Sequence, residues 1–304
     1  MISIAFSGAG LGALVALGLS SIVINSFGWR WVFWGSGALT LAWLPFWVIY
    51  VRDTPRYHPG ISKKELHHLS KNHNQPRKNV PWSRVFKSKY IYLFIMMEFV
   101  NVWTQTIIIT EGPTFLTNQI GISLKDAGNL NIIITALAQF LVIFYGWLSD
   151  LVERREWMPM LTVRRLFQMF GTLVIVGCLM GLAFAGCDGF EVAVYFVVLM
   201  FGLSTSIVTY VIGPMIIAPN YAGTLSGMVG LGTVAGFLLP MFVSVFLDMK
   251  NGWMTVFLVS AAINLVSGLI YVIWMPREEE EWNMYEEIPE SDKQAAKKNG
   301  KMST

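Results

Sequence analysis

The sequence predicts an all-α multi-pass membrane protein with about eight transmembrane helices, on three observations. Only 13% of the 304 residues are charged while 54% are hydrophobic, about half the charge of a water-soluble domain. The apolar residues come in runs of about 20, enough helix to cross a ~30 Å hydrocarbon core. Counting spans places 19 of the 22 Lys and Arg on one side, with only Arg30, Lys125 and Lys250 on the other. Basic residues in short loops stay cytosolic, so the linker, the Arg-rich loop and the C-terminus are expected in the cytosol. A net charge of +3, segregated by loop rather than gathered in a stripe, argues against nucleic acid as a partner and for the lipid bilayer.

The first span, Ile2–Ile24, is rich in small residues (Ser7, Gly8, Gly10, Gly12) that let helices approach closely in lipid. It lacks the basic start of a secretory signal peptide. The second, Trp31–Val51, has tryptophans and Tyr50 at its two ends, as an aromatic belt requires. Residues 52–89 form the longest polar segment, with ten Lys or Arg, all four histidines and four prolines. This is a linker, with Ser62-Lys-Lys-Glu65 as a capping box for a short surface helix. His58, His67, His68 and His73 lack ligand spacing, and no metal is expected. Six spans follow in residues 90–275: Tyr90–Gly112, Ala127–Leu148, Leu166–Gly186, Val192–Gly213, Ala222–Leu247 and Trp253–Met275. Residues 276–304, with an acidic run at Glu278–Glu281, read as a disordered tail. Cys178 reads as a small core residue and Cys187 as a turn residue, too few for a disulfide framework.

Ionisable groups inside a membrane are costly and need a reason. Glu98 and Glu111 are the two carboxylates of the third span. At 100° per residue Glu98 and Gln105 align within about 20° and Asn101 lies some 60° away, giving one polar helix face. Two readings of Glu98 stay open: a water-filled substrate or proton pathway, or a protonated side chain bonded to a neighbouring helix. Glu111, before Gly112-Pro113, reads as a helix end. Asn131, Thr135 and Gln139 recur every four residues and extend the candidate pathway. The faces Gly202, Ser206, Thr209, Gly213 and Ser260, Asn264, Ser267 read either as cavity lining or as interhelical glue. Gly223-x-x-x-Gly227 and Gly232-x-x-x-Gly236 read as packing positions, and Pro240 as a kink. No metal-ligand set, phosphate loop or nucleophile elbow appears, so neither a cofactor nor an enzyme activity is expected.

Gly146-x-Leu148-Ser-Asp150-x-x-x-Arg154-Arg155 resembles the cytosolic loop signature of the major facilitator superfamily, with Glu153 where a glycine is usual. Further stretches resemble its anion:cation symporters, the family of sialin, vesicular glutamate transporters and sodium/phosphate cotransporters. These are Asp53-Thr-Pro55, Asn101-x-Trp103-Thr104, Val163-Arg164-Arg165, Ala218-Pro219-x-Tyr221-Ala222-Gly223, Trp253-x-Thr-Val-Phe257 and Ala261-Ala262-Ile263-Asn264. The resemblance implies an incomplete major facilitator fold lacking the first four spans. Residues 1–51 are then the last two helices of an N-terminal bundle, 52–89 the central loop, and 90–275 the C-terminal six-helix bundle. Two departures stand out. Asn101 is neutral where several relatives have arginine, and Gly213-Pro214-Met215-Ile216 replaces an Asn-His-x-Asp cluster.

The function this implies is secondary transport of a small anionic substrate coupled to a proton or sodium ion. Glu98, Asn101, Gln105, Asn131, Thr135 and Gln139 would line the pathway. Gly146, Asp150, Arg154, Arg155, Arg164 and Arg165 would form a cytosolic gate. In it Asp150 would pair with Arg154 or Arg155, or face the N-terminus of the first span. The alternative expectation is a non-transporting truncated isoform or incomplete gene product, acting at most as a membrane partner. The plasma membrane and endolysosomal or vesicular membranes are both compatible, and Tyr285-Glu-Glu-Ile288 has the form of a sorting signal.

Overall fold

The computed structural model describes residues 8, 12, 15–16, 18–20, 22–24, 26–52, 60–62, 80–155, 158–186, 188–247, 249, 251–276 and 280–283. The expected first span falls largely outside them. So do the Ser62–Glu65 capping box, the four histidines, Cys187 and Tyr285–Ile288. The chain divides into two compact units, Met1–Asn79 and Val80–Thr304.

In the first unit a helical stretch ends at Gly28, which takes φ 88° while its N–H bonds to the Ile24 carbonyl at 3.0 Å. That left-handed stop favours glycine. Helix α1, Arg30–Tyr50, follows, with no buried residue. Its polar side chains turn inward on the backbone: Ser36 donates to the Phe33 carbonyl and Thr40 to that of Ser36. The outer surface is thereby left to Trp31, Phe33, Trp34, Trp43 and Trp47, a composition suited to lipid.

The second unit holds six helices long and apolar enough to span a membrane: α2 Lys89–Ile120, α3 Leu124–Arg154, α4 Met160–Phe184, α5 Gly189–Ile217, α6 Pro219–Leu247 and α7 Gly252–Trp274. Helix α2 runs eight residues beyond the expected stop at Gly112. A π-helical turn at Ile107–Glu111 widens the coil just before Pro113, which sits in the first turn of Gly112–Phe115 where its missing N–H costs little. The helix stops instead at Gly121, with φ 81° and the Ile122 N–H bonded to the Leu116 carbonyl. Helix α3 is then opened by the Ser123 hydroxyl, which donates to Asp126 at 2.6 Å and accepts from its N–H.

Helix α4 corrects the expected loop. It starts after Pro159, so Arg164 and Arg165 lie within its second turn, and buried Val163 anchors that turn. The crossing of α4 with α5 is glycine on glycine. A Cβ on Gly171 would lie 2.8 Å from the Gly202 carbonyl, and one on Gly202 would lie 2.8 Å from the Gly171 carbonyl. At the next layer Gly268 of α7 receives the Thr172 side chain. Buried Gln168 joins α4 to α5, donating to Thr172 at 3.2 Å and accepting from Thr209 at 2.8 Å and Ser206 at 3.3 Å. The polar face of α7 is spent on α2: Trp103 donates to Ser260 at 2.8 Å, and Asn264 donates to Thr104 at 2.9 Å. Both small-residue faces are thus interhelical glue, and two of the stretches carrying the resemblance bond to each other.

The tail, expected to be disordered from Pro276, is ordered at Glu280–Asn283. The Glu280 N–H bonds to the Ile217 carbonyl at 2.9 Å, and its carboxylate accepts from Ser88 at 3.1 Å. Asn283 accepts from the Asn220 backbone N–H and from its side chain, at 3.2 and 3.0 Å. Trp282 is buried with Tyr221, Ile217 and Met275. Composition predicted a disordered tail, but one tryptophan supplies enough apolar area to fix a turn. Trp282→Ala should cost about 3 kcal/mol and lower the melting temperature of the purified protein. Trp274→Ala, at a half-exposed position, should stay within about 0.5 kcal/mol.

Candidate functional site

Glu98 lies nine residues into α2, about 13 Å along the axis of a helix long enough to cross a ~30 Å hydrocarbon core. Two other helices lose their regular form beside it. The long segment of α5, Gly189–Tyr210, ends there and resumes as Gly213–Ile217. Pro214 lacks the N–H a continuous helix needs, and Phe94 of α2 presses against Gly213 where any side chain would overlap it. In α6 a 3₁₀ segment, Gly230–Val234, separates Ala222–Val229 from Ala235–Leu247. A Cβ on Gly232 would meet the Phe99 nitrogen at 2.6 Å and the Glu98 Cβ at 2.7 Å. Backbone therefore lies directly on backbone at the carboxylate.

Glu98 is half-buried, and its Oε2 accepts the Tyr210 hydroxyl at 2.7 Å, within the range of charge-assisted bonds. Its other oxygen has no hydrogen-bond partner among the described residues. Asn101, one turn on, is buried, and Gln105 is exposed. The face read from the sequence therefore runs from the α5 contact out to the bundle surface.

The α3 residues do not join this node. Asn131 donates to the Ile109 carbonyl at 3.1 Å, inside the π-helical turn of α2, and its Oδ1 is buried without a partner among the described residues. The Thr135 hydroxyl returns to the Asn131 carbonyl at 2.8 Å. Gln139 is half-buried. A separate cavity of about 550 Å³ lies at the end of the bundle remote from Arg154, among Phe115, Asn118, Gln119, Gly186, Asn251 and Trp253.

At the basic end Gly146 is buried and Asp150, Arg154 and Arg155 are exposed. Asp150 makes no ion pair with either arginine among the described residues. Arg164 and Arg165 are half-buried in α4. Arg164 acts electrostatically on Tyr271 of α7, and the Arg165 Nε is buried without a partner among the described residues.

The profile of the Major Facilitator Superfamily matches residues 1–228. The chain belongs to the major facilitator superfamily. Among curated superfamily relatives it is 28% identical to sodium-dependent phosphate transport protein 3 of Mus musculus over 92% of this chain and 60% of that protein. It is 30% identical to sialin of Homo sapiens over 93% and 58%, and 26% identical to vesicular glutamate transporter 1 of Bos taurus over 94% and 53%. The chain thus spans little more than half the length of these superfamily members, which are transporters rather than enzymes.

Sequence reasoning missed Tyr210 and Gln168. Tyr210 is hidden in an apolar helical run with no helix-breaking signal until Gly213-Pro214. Gly232 belonged to a pair assigned to packing without a partner. A Gly232→Ala substitution should destabilise the protein by about 1–3 kcal/mol, because its new methyl meets backbone. Gly227→Ala, with open space at its Cβ, should be neutral or slightly stabilising. Thermal unfolding of both variants separates the close approach from glycine content.

Proposed function

We propose that this chain is the C-terminal part of a secondary active transporter for a small anion, coupled to a proton or sodium ion. Helix α1 and the stretch before it belong to an N-terminal bundle, residues 52–89 to the central loop, and α2–α7 to the C-terminal bundle. The linker, the basic end and the tail face the cytosol, and the membrane is plasma or endolysosomal. The observation that carries the reading is the half-buried carboxylate of Glu98 within a membrane-spanning helix, where two neighbouring helices break. Unwound segments beside a membrane-embedded carboxylate are how transporters of this kind build binding sites. The similarity to a phosphate transport protein and a glutamate transporter supports an anion as substrate. The pathway on this half runs over Glu98, Asn101 and Gln105, with Asn131, Thr135 and Gln139 on α3.

The test is uptake of labelled phosphate and of labelled glutamate into proteoliposomes, under an imposed proton or sodium gradient. It is run with this chain alone and with the chain joined to the four preceding helices of a relative. Uptake by the joined protein is expected. Glu98→Gln should lower it at least tenfold, and Asn101→Ala several-fold, since each removes a group held in low dielectric. Unchanged rates in both variants would take α2 out of the pathway.

At the basic end we assign the exposed Asp150 to the gate, as a carboxylate able to face a helix N-terminus. Asp150→Asn should raise thiol labelling at the cytosolic mouth about threefold, the weight of one carboxylate–dipole contact. Labelling equal to that of the parent would remove Asp150 from the gate.

A further inference from the structure

We propose that Glu98 and Tyr210 form a proton-controlled latch that fixes the position of the broken part of α5 against α2. The latch rests on the transport reading for its purpose, though not for its operation.

The geometry has three parts. The Tyr210 hydroxyl donates to the Glu98 carboxylate at 2.7 Å. Tyr210 is the last residue of the long segment of α5, so the bond holds that helix at its break. Glu98 itself cannot retreat, because Gly232 of α6 packs against its Cβ. Ionised Glu98 accepts a charge-assisted bond. When the carboxylate takes a proton from water, it becomes a neutral acid, Tyr210 keeps its own proton, and the bond falls to about half its strength. The short segment Gly213–Ile217 begins three residues after Tyr210, so weakening that bond removes one of the contacts that fix its position. Proton occupancy is thereby converted into helix position.

Few titratable groups lie on the elements packed against Glu98. From α5 the facing group is Tyr210, while Glu191 and Tyr195 lie 15 or more residues along, at least ~22 Å away on the same helix. Helix α6 carries one titratable residue, Tyr221, at its far end from Gly232 by eleven positions. From α7 the group is Tyr271, whose hydroxyl donates to the Thr209 carbonyl at 3.1 Å and which feels Arg164. On α2 itself Lys89, Tyr90 and Tyr92 precede Glu98 and Glu111 lies 13 residues on. Tyr210 is a positioning residue in this scheme, acting through Glu98.

The test places spin labels on Lys89→Cys and Met215→Cys, both exposed sites, in the full chain in lipid nanodiscs, with Cys178 and Cys187 replaced by serine. Pulsed dipolar distances are recorded across pH, and the infrared carboxylic-acid band reports protonation of Glu98. The parent should show two distance populations whose ratio shifts about fivefold toward the longer distance as that band grows in. Glu98→Gln should hold the longer distance at every pH. Tyr210→Phe, which loses only a hydroxyl, should keep the infrared band and lose the pH dependence of the distances. A parent ratio that stays constant while the band grows overturns the latch, and so does a Tyr210→Phe protein that titrates like the parent. Lost uptake in Glu98→Gln with unchanged distances would end the latch and leave the transport reading standing. A working latch in a joined protein that moves no anion would do the reverse.

Discussion

Hydrocarbon offers a peptide group no hydrogen-bond partner, so a helix that breaks inside the membrane must find its partners within the protein. Helices α2, α5 and α6 each depart from regular α form, and each departure is matched by a contact from a neighbouring helix. The π-helical turn of α2 is met by the Asn131 amide at the Ile109 carbonyl. The break of α5 takes Phe94 against Gly213, and the 3₁₀ segment of α6 is pressed onto Phe99 and Glu98 at Gly232. The breaks are therefore a coupled set. Moving one exposes the backbone of another, and this makes the region suited to discrete rearrangement rather than gradual flexing.

The polar side chains of the second unit fall into two groups. Gln168, Ser206 and Thr209 on one crossing, and Trp103, Thr104, Ser260 and Asn264 on another, are buried and hydrogen-bonded to each other. They tie α4 to α5 and α2 to α7, in a setting where lipid supplies no hydrophobic drive for association. Glu98, Asn101 and Gln105 hold unspent hydrogen-bonding capacity and lie along one line of α2. A membrane protein keeps such capacity at a cost, and the proposed pathway gives a reason to bear it.

Much of this was legible in the sequence. Apolar run length gave the helices, because the bilayer imposes one length on all of them. Spacing along α2 gave the Glu98–Gln105 face. The errors have a common physical source. Gly112-Pro113 was read by local preference as a stop, while a π-helical turn absorbed the proline and the helix ran on to Ile120. Arg164 and Arg165 were placed in a loop because they are charged, though Val163 beside them is core. Tyr210 was invisible for a different reason. Its role is set by a carboxylate 112 positions earlier, and no local pattern carries that distance.

The tail turn at Glu280–Asn283 bears on how the protein is made. Ser88, at the start of α2, takes its partner Glu280 from 192 positions later, and Asn220 finds Asn283 only once α7 has been synthesised. At a translation rate of roughly 5–20 residues per second, the basic end of the bundle waits on the order of ten seconds or more with those polar groups unpaired. The six helices can assemble in the meantime, but the basic face closes only when the chain's last part arrives. That seal makes the finished bundle distinguishable from an interrupted one.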